Sequence, residues 1–135
     1  MMVSWLYAAA LLATAFLFGG MLLFAAGFAA VAFRSLPPAQ ARALIRQAFP
    51  PFYLYVIATA AVAALLSLPT DALGAAVLTA VALSTVPTRQ ALMPAINRAT
   101  DSEQKKRFAW LHGLSVLITL AHIGAAGFVL VRLAG

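Results

Sequence analysis

Residues 108–133 read FAWLHGLSVLITLAHIGAAGFVLVRL, a run long enough to cross a bilayer that nonetheless carries both histidines of the chain. At 100° per residue, Phe108, His112, Ser115, Thr119, His122 and Ala126 fall within an arc of about 80°. Leu114, Val116, Leu117 and Leu120 lie on other sides. Hydrocarbon cannot hydrogen-bond hydroxyls or imidazoles, so a membrane helix with one polar stripe turns that stripe towards other helices. This stretch decides the fold class: a bundle of transmembrane helices with a polar seam inside it.

Composition agrees. Of 135 residues, 64% are hydrophobic and 9% charged, and the mean hydropathy is +0.99. Soluble domains run at about half apolar and a quarter charged, so the chain is an integral membrane protein with no room for a second domain beside its spans. A formal charge of +6 would suggest nucleic acid in a soluble protein. Here the positive residues sit in short loops between apolar runs, where membrane topology explains them and nucleic-acid binding is not expected. The absence of cysteine excludes disulfides, thiolate metal sites and cysteine nucleophiles.

The first span is expected over 3–33, ending at Arg34. Its N-terminal stretch MMVSWLYAAALLATAF lacks a basic leader and continues too far for a cleaved signal, so it reads as a retained span. At roughly 46 Å it must tilt, bend or protrude. Ala13, Gly20 and Gly27 repeat at heptad spacing and form a small-residue stripe for close helix packing, and Gly19-Gly20 is the expected place for a bend. Residues 38–49, after Pro37-Pro38, place Arg42 and Arg46 on one face and Ala41, Ile45 and Phe49 on its neighbour. That pattern predicts a short interfacial helix closed by Pro50-Pro51. Span two follows over 52–68, with Phe52, Tyr53 and Tyr55 as an aromatic belt, and Tyr55 and Thr59 on one face inside the bundle. The short turn at 68–71 makes spans two and three an antiparallel hairpin, with Thr70 or Asp71 as N-cap. Span three covers 72–86. An amphipathic segment over 88–99 either continues it past a kink at Pro87 or forms a second interfacial helix. Thr100-Asp101-Ser102-Glu103 fits a capping box opening the long helix that contains span four, 108–133.

Arg34, Arg42 and Arg46 follow span one, and Arg89, Arg98, Lys105, Lys106 and Arg107 follow span three, whereas the opposite side has only Arg132. The positive-inside rule places both basic loops in the cytoplasm and both termini outside. The heavy use of alanine suggests a GC-rich bacterial genome, hence a bacterial inner membrane.

Four stretches carry a family likeness: AFRSLP at 32–37, AFPPFY at 48–53, PTRQALMPAIN at 87–97 and FAWLHGLS at 108–115. In their order and spacing the chain resembles the family named for transmembrane protein 205, catalogued as a domain of unknown function. The resemblance implies a four-helix membrane protein and no established activity. Where that family leads one to expect an asparagine a few residues after LHGLS, this chain has Thr119, which weakens the polar contacts expected there.

The chemistry visible in the residues is sparse. His112 and His122 lie about 15 Å apart along one helix, so they cannot ligate one metal or one haem, and each would need partners from elsewhere. No carboxylate lies within a span, which counts against proton- or sodium-coupled transport. No catalytic triad, phosphate loop or nucleotide fingerprint is present. Arg34, Arg89, Asn97 and His112 could converge at the cytoplasmic side, with Tyr55 near them and Ser115, Thr119 and His122 along the seam. Such a pocket would suit a quinone, a haem or a lipid headgroup. The plainer expectation is that the arginines reach lipid phosphates and the imidazoles bond across the bundle. No cofactor is then required. The sequence thus points to an all-α, four-helix antiparallel membrane bundle with short cytoplasmic interfacial helices. Its expected role is a non-enzymatic subunit that packs against itself or a larger membrane complex, ahead of a lipophilic-cofactor binder and of a small-solute or metal transporter.

Overall fold

The computed structural model describes residues 1–135 and contains no strand. Four helices, each apolar and long enough to cross a membrane, account for nearly the whole chain: α1 (Met2–Ser35), α2 (Pro38–Ser67), α3 (Ala72–Asp101) and α4 (Lys105–Ala134). The links between them are two to four residues long, so successive helices run antiparallel. Each packs on its neighbour in sequence, and α4 closes the ring on α1. The chain is a multi-pass membrane protein.

Small side chains set how closely the helices approach. Ala10, Ala60, Ala63 and Ala126 are fully buried between Leu17, Met21, Val56, Leu78, Val129 and Leu133. Without water, attraction between helices depends on such close contact, and small residues permit it. The buried hydroxyls of Thr14, Ser67 and Thr85 each donate to the carbonyl four residues back, Ala10, Ala63 and Val81. They therefore need no partner from another helix. Large apolar residues such as Trp5, Leu12, Leu65, Leu83, Leu117 and Val131 point outward, where lipid covers them.

The helix boundaries correct several expectations. No separate interfacial helix forms over 38–49: α2 starts at Pro38 and runs unbroken through Pro50-Pro51. Two prolines remove two N–H donors, but Phe49 and Phe52 on either side pack against Phe24 of α1, and this contact holds the axis through the break. Of the two alternatives for 88–99, the structure has the first: the segment is the end of α3, reached through a π-turn at Thr88–Leu92 just after Pro87. The irregular turn of α1 falls at Leu23–Phe28 rather than Gly19-Gly20. An extra residue in that turn puts Phe24 and Phe28, stacked at 5.3 Å, on the side facing α2.

Of the small-residue stripe, Gly20 lies under Tyr55, Ala13 borders a shallow groove between α1 and α2, and Gly27 meets only Leu23 of its own helix. The expected capping box is absent. Asp101 ends α3, Glu103 takes a left-handed backbone (φ 56°) and Gln104 caps α4 without a side-chain bond. The Asp101 carboxylate is instead held by Arg46 of α2. Asp71 does cap α3, accepting from the Gly74 N–H at 3.0 Å.

Candidate functional site

Two of the four helices carry a π-turn, and a third its Pro50-Pro51 pair, at one level. The π-turn of α1 meets Pro50-Pro51 of α2 through Phe24, whose ring lies 4.0 Å from that of Phe52, nearly parallel, and 5.2 Å from that of Phe49. The π-turn of α3 meets the same point of α2 through Arg89, whose Nε donates to the Pro50 carbonyl at 3.2 Å. Prolines and π-turns both unsettle backbone hydrogen bonds, and π-turns recur at functional sites. Here they lie together, about twelve residues in from the basic end of the bundle.

Charge is distributed unevenly around this belt. Arg46 and Asp101 form a two-point pair (2.8 and 2.7 Å) joining the basic ends of α2 and α3. Arg132 and Asp71 form another (3.1 and 2.8 Å) at the opposite end, tying α4 to the α2–α3 turn. Hydrogen bonds from Arg132 and from the Gly74 N–H hold the Asp71 carboxyl below its ordinary range, and Arg46 does the same for Asp101. Arg89 has no carboxylate partner. The residue is half-buried, its guanidinium anchored through Nε alone, with both terminal amino groups free of hydrogen bonds within the protein.

The polar residues singled out from the sequence do not converge. Arg34 is exposed at the tip of α1, and Asn97 is half-buried on α3 without a side-chain hydrogen bond. Tyr55 belongs to the α1–α2 contact, where its hydroxyl donates to the Phe16 carbonyl. His112 is exposed and stacks on Phe108 of its own helix, with ring centroids 5.4 Å apart. No hydrogen bond joins it to Arg89. Ser115 and Thr119 donate to the carbonyls of His112 and Ser115, so their hydroxyls are satisfied within α4. Within the α4 stripe only His122 bonds to another helix, its Nε2 lying 2.8 Å from Oγ of Ser84 on α3. Ser84 and Pro50 are the partners that sequence reasoning missed, because a helical pattern gives a residue's direction but not what it meets. No three His, Asp or Glu side chains come together to hold a metal ion.

The polar stripe of α4 is therefore covered only in part. From Ile123 to Leu133 the helix packs on α1, where the Phe18 ring would lie 3.1 Å from a Cβ on Gly127. Beyond Leu22, α1 turns to α2 and leaves α4. On the uncovered half of α4, His112, Gly113, Val116 and Leu120 are exposed, and Trp110 is 82% exposed.

Residues 12–105 match the family described as "Domain of unknown function (DUF4149)", so the chain belongs to that family. No curated protein and no solved structure matches the chain.

Proposed function

We propose that this member of the DUF4149 family is a non-enzymatic subunit of a membrane assembly, either of copies of itself or of a larger complex. The observation that supports the reading is the uncovered half of α4. The flank that α1 covers near Gly127 is bare near Gly113, although it carries an imidazole. His112 lies about 10 Å in from the start of α4, at the membrane boundary, where a neighbouring helix can supply a hydrogen-bond partner. Gly113 and Gly124 face open space and would let such a helix approach closely.

Native mass spectrometry after gentle release from the membrane tests the reading. An oligomer or heteromeric complex supports it. A monomer carrying a small molecule that His112→Ala fails to retain would replace it with the binder of a lipophilic cofactor, a quinone or haem.

The orientation belongs to the same proposal. The basic end faces the cytoplasm of a bacterial inner membrane, with both termini on the outer face, since eight of the nine Lys and Arg lie at that end. Cysteines introduced at Arg46 and at Thr70 should label from the cytoplasmic and the outer side respectively; the reverse pattern would overturn it. The closer kinship with the transmembrane protein 205 family rests on the four motifs above. Three of them fall inside the matched residues 12–105, and FAWLHGLS lies beyond.

A further inference from the structure

We propose that Arg89, together with the groove between α2 and α3, is a binding site for one anionic phospholipid of the leaflet at the basic end. The proposal goes beyond the subunit reading and does not depend on it. Three observations carry it.

Arg89 differs from the other positioned arginines. Arg46 and Arg132 each spend their fork on a carboxylate, while Arg89 is fixed through Nε by the Pro50 carbonyl and presents two free amino groups. A guanidinium held in this way is preorganised for the two oxygens of a phosphate. Half-burial without a counter-charge also favours the arrival of an anion.

An apolar groove lies further along the same pair of helices. Ala61, Leu65 and Leu68 of α2 and Thr79, Ala82 and Leu83 of α3 line a shallow cavity of about 280 Å³. Pro50 lies three helical turns from Ala61 on the same side of α2, and Ala82 lies two turns from Arg89 on α3. On α3 the groove starts at Leu83, about 9 Å from Arg89 along the axis, and on α2 at Ala61, about 16 Å from Pro50, and it runs on past the midplane to Leu68 beside the far turn. A chain descending from a phosphate on Arg89 therefore meets only the near end of the groove, at Leu83, Ala82 and Ala61, as it nears the midplane.

The field at this end has the required sign. Eight Lys and Arg stand there against Asp101 and Glu103, and Asp101 is already paired. Anionic lipid is thereby concentrated around Arg89, and contact of its chain with the near end of the groove separates a lipid from a free anion.

The test is native mass spectrometry of the full chain released from nanodiscs of equal phosphatidylglycerol and phosphatidylcholine. Wild type is expected to retain phosphatidylglycerol preferentially, and Arg89→Gln to lose that preference by about tenfold, the effect of losing a charge-assisted hydrogen bond. Arg42→Gln removes a charge from the same end and should leave the preference intact. Ala61→Phe fills the groove without touching Arg89 and should also lower retention, which keeps the proposal testable if Arg89→Gln does not fold. Equal retention of the two lipids by wild type, an effect of Arg42→Gln as large as that of Arg89→Gln, or unchanged retention in Ala61→Phe would each overturn the site. So would displacement of the lipid by inorganic phosphate, which would make it a free-anion site.

Discussion

The Tyr55 ring occupies the space a side chain on Gly20 would need. A Cβ built on Gly20 falls 2.6 Å from the Tyr55 Cζ, and the Tyr55 hydroxyl donates to the Phe16 carbonyl one turn away on the same helix. The Phe16 ring completes the contact, edge-on at 5.2 Å. One aromatic side chain thus spaces α1 from α2 by packing, hydrogen bonding and excluded volume together.

Gly20→Ala should therefore destabilise the bundle by about 1–3 kcal/mol, the usual cost of overpacking, despite alanine's better helix propensity. Gly20→Leu should be worse. In a Tyr55→Ala background the sign should reverse, because the obstacle is gone and only the propensity gain of up to about 1 kcal/mol remains. Reversible unfolding in mixed micelles measures both. The same cost in both backgrounds would mean that the two residues are not coupled.

The two histidines should behave differently. His122 bonds to Ser84 across the α3–α4 contact, whereas His112 is exposed and bonds to no other helix. A double-mutant cycle on His122→Ala and Ser84→Ala should give a coupling of about 0.5–1.5 kcal/mol, the range of hydrogen bonds between membrane helices. His112→Ala should change the stability of the isolated chain by less than about 0.5 kcal/mol. A large effect at His112 in the monomer would mean that it holds the bundle together.

The uneven success of sequence reasoning here has physical causes. The four helices, the 68–71 hairpin turn and the cap at Asp71 rest on local rules, namely apolar length, chain reach and the geometry of a first turn. Pro50-Pro51 was expected to end a helix because proline breaks an isolated one. The packing of Phe49 and Phe52 on Phe24 outweighs that preference, and it comes from 25 residues away in sequence. The π-turn at Thr88–Leu92 follows Pro87, where the sequence marks a kink, whereas the one at Leu23–Phe28 has no proline beside it and carries the Phe24 that meets Phe49 and Phe52. At the candidate site, periodicity put Ser115, Thr119 and His122 on one stripe but could not foresee that the hydroxyls would turn back onto their own helix. Nor could it foresee that Arg89 would reach the Pro50 carbonyl on the neighbouring helix.

At the opposite end, stability should depend on pH through Asp71. The Arg132 side chain and the Gly74 N–H lower its pKa in the folded state. A lowered carboxyl contributes stability above the unfolded value, about 3.9, and loses it as pH falls through the folded value. Asn caps helices about as well as Asp, so Asp71→Asn removes the charge and keeps the cap. The stability difference between wild type and Asp71→Asn should be constant from pH 8 to about 5 and close below about 4. A gap that persists under acid would show that the Arg132 pair contributes nothing.

Packing and lipid exposure should separate most clearly at Phe52 and Leu117. Phe52 is 8% exposed and stacks on Phe24, while Leu117 is 66% exposed to lipid. In water either truncation would lose hydrophobic transfer energy, but hydrocarbon surrounds both residues whether or not the helices are packed. What remains is contact. Phe52→Ala opens a hole between the α1 π-turn and Pro50-Pro51 and should cost about 2 kcal/mol, less than the roughly 3–5 kcal/mol typical of soluble cores. Leu117→Ala replaces one lipid contact by another and should cost less than about 0.5 kcal/mol. Unfolding the two variants side by side in micelles decides it. Equal losses would mean that the aromatic contact at the proline break does not hold α2 straight, and that the continuity of this helix has some other cause.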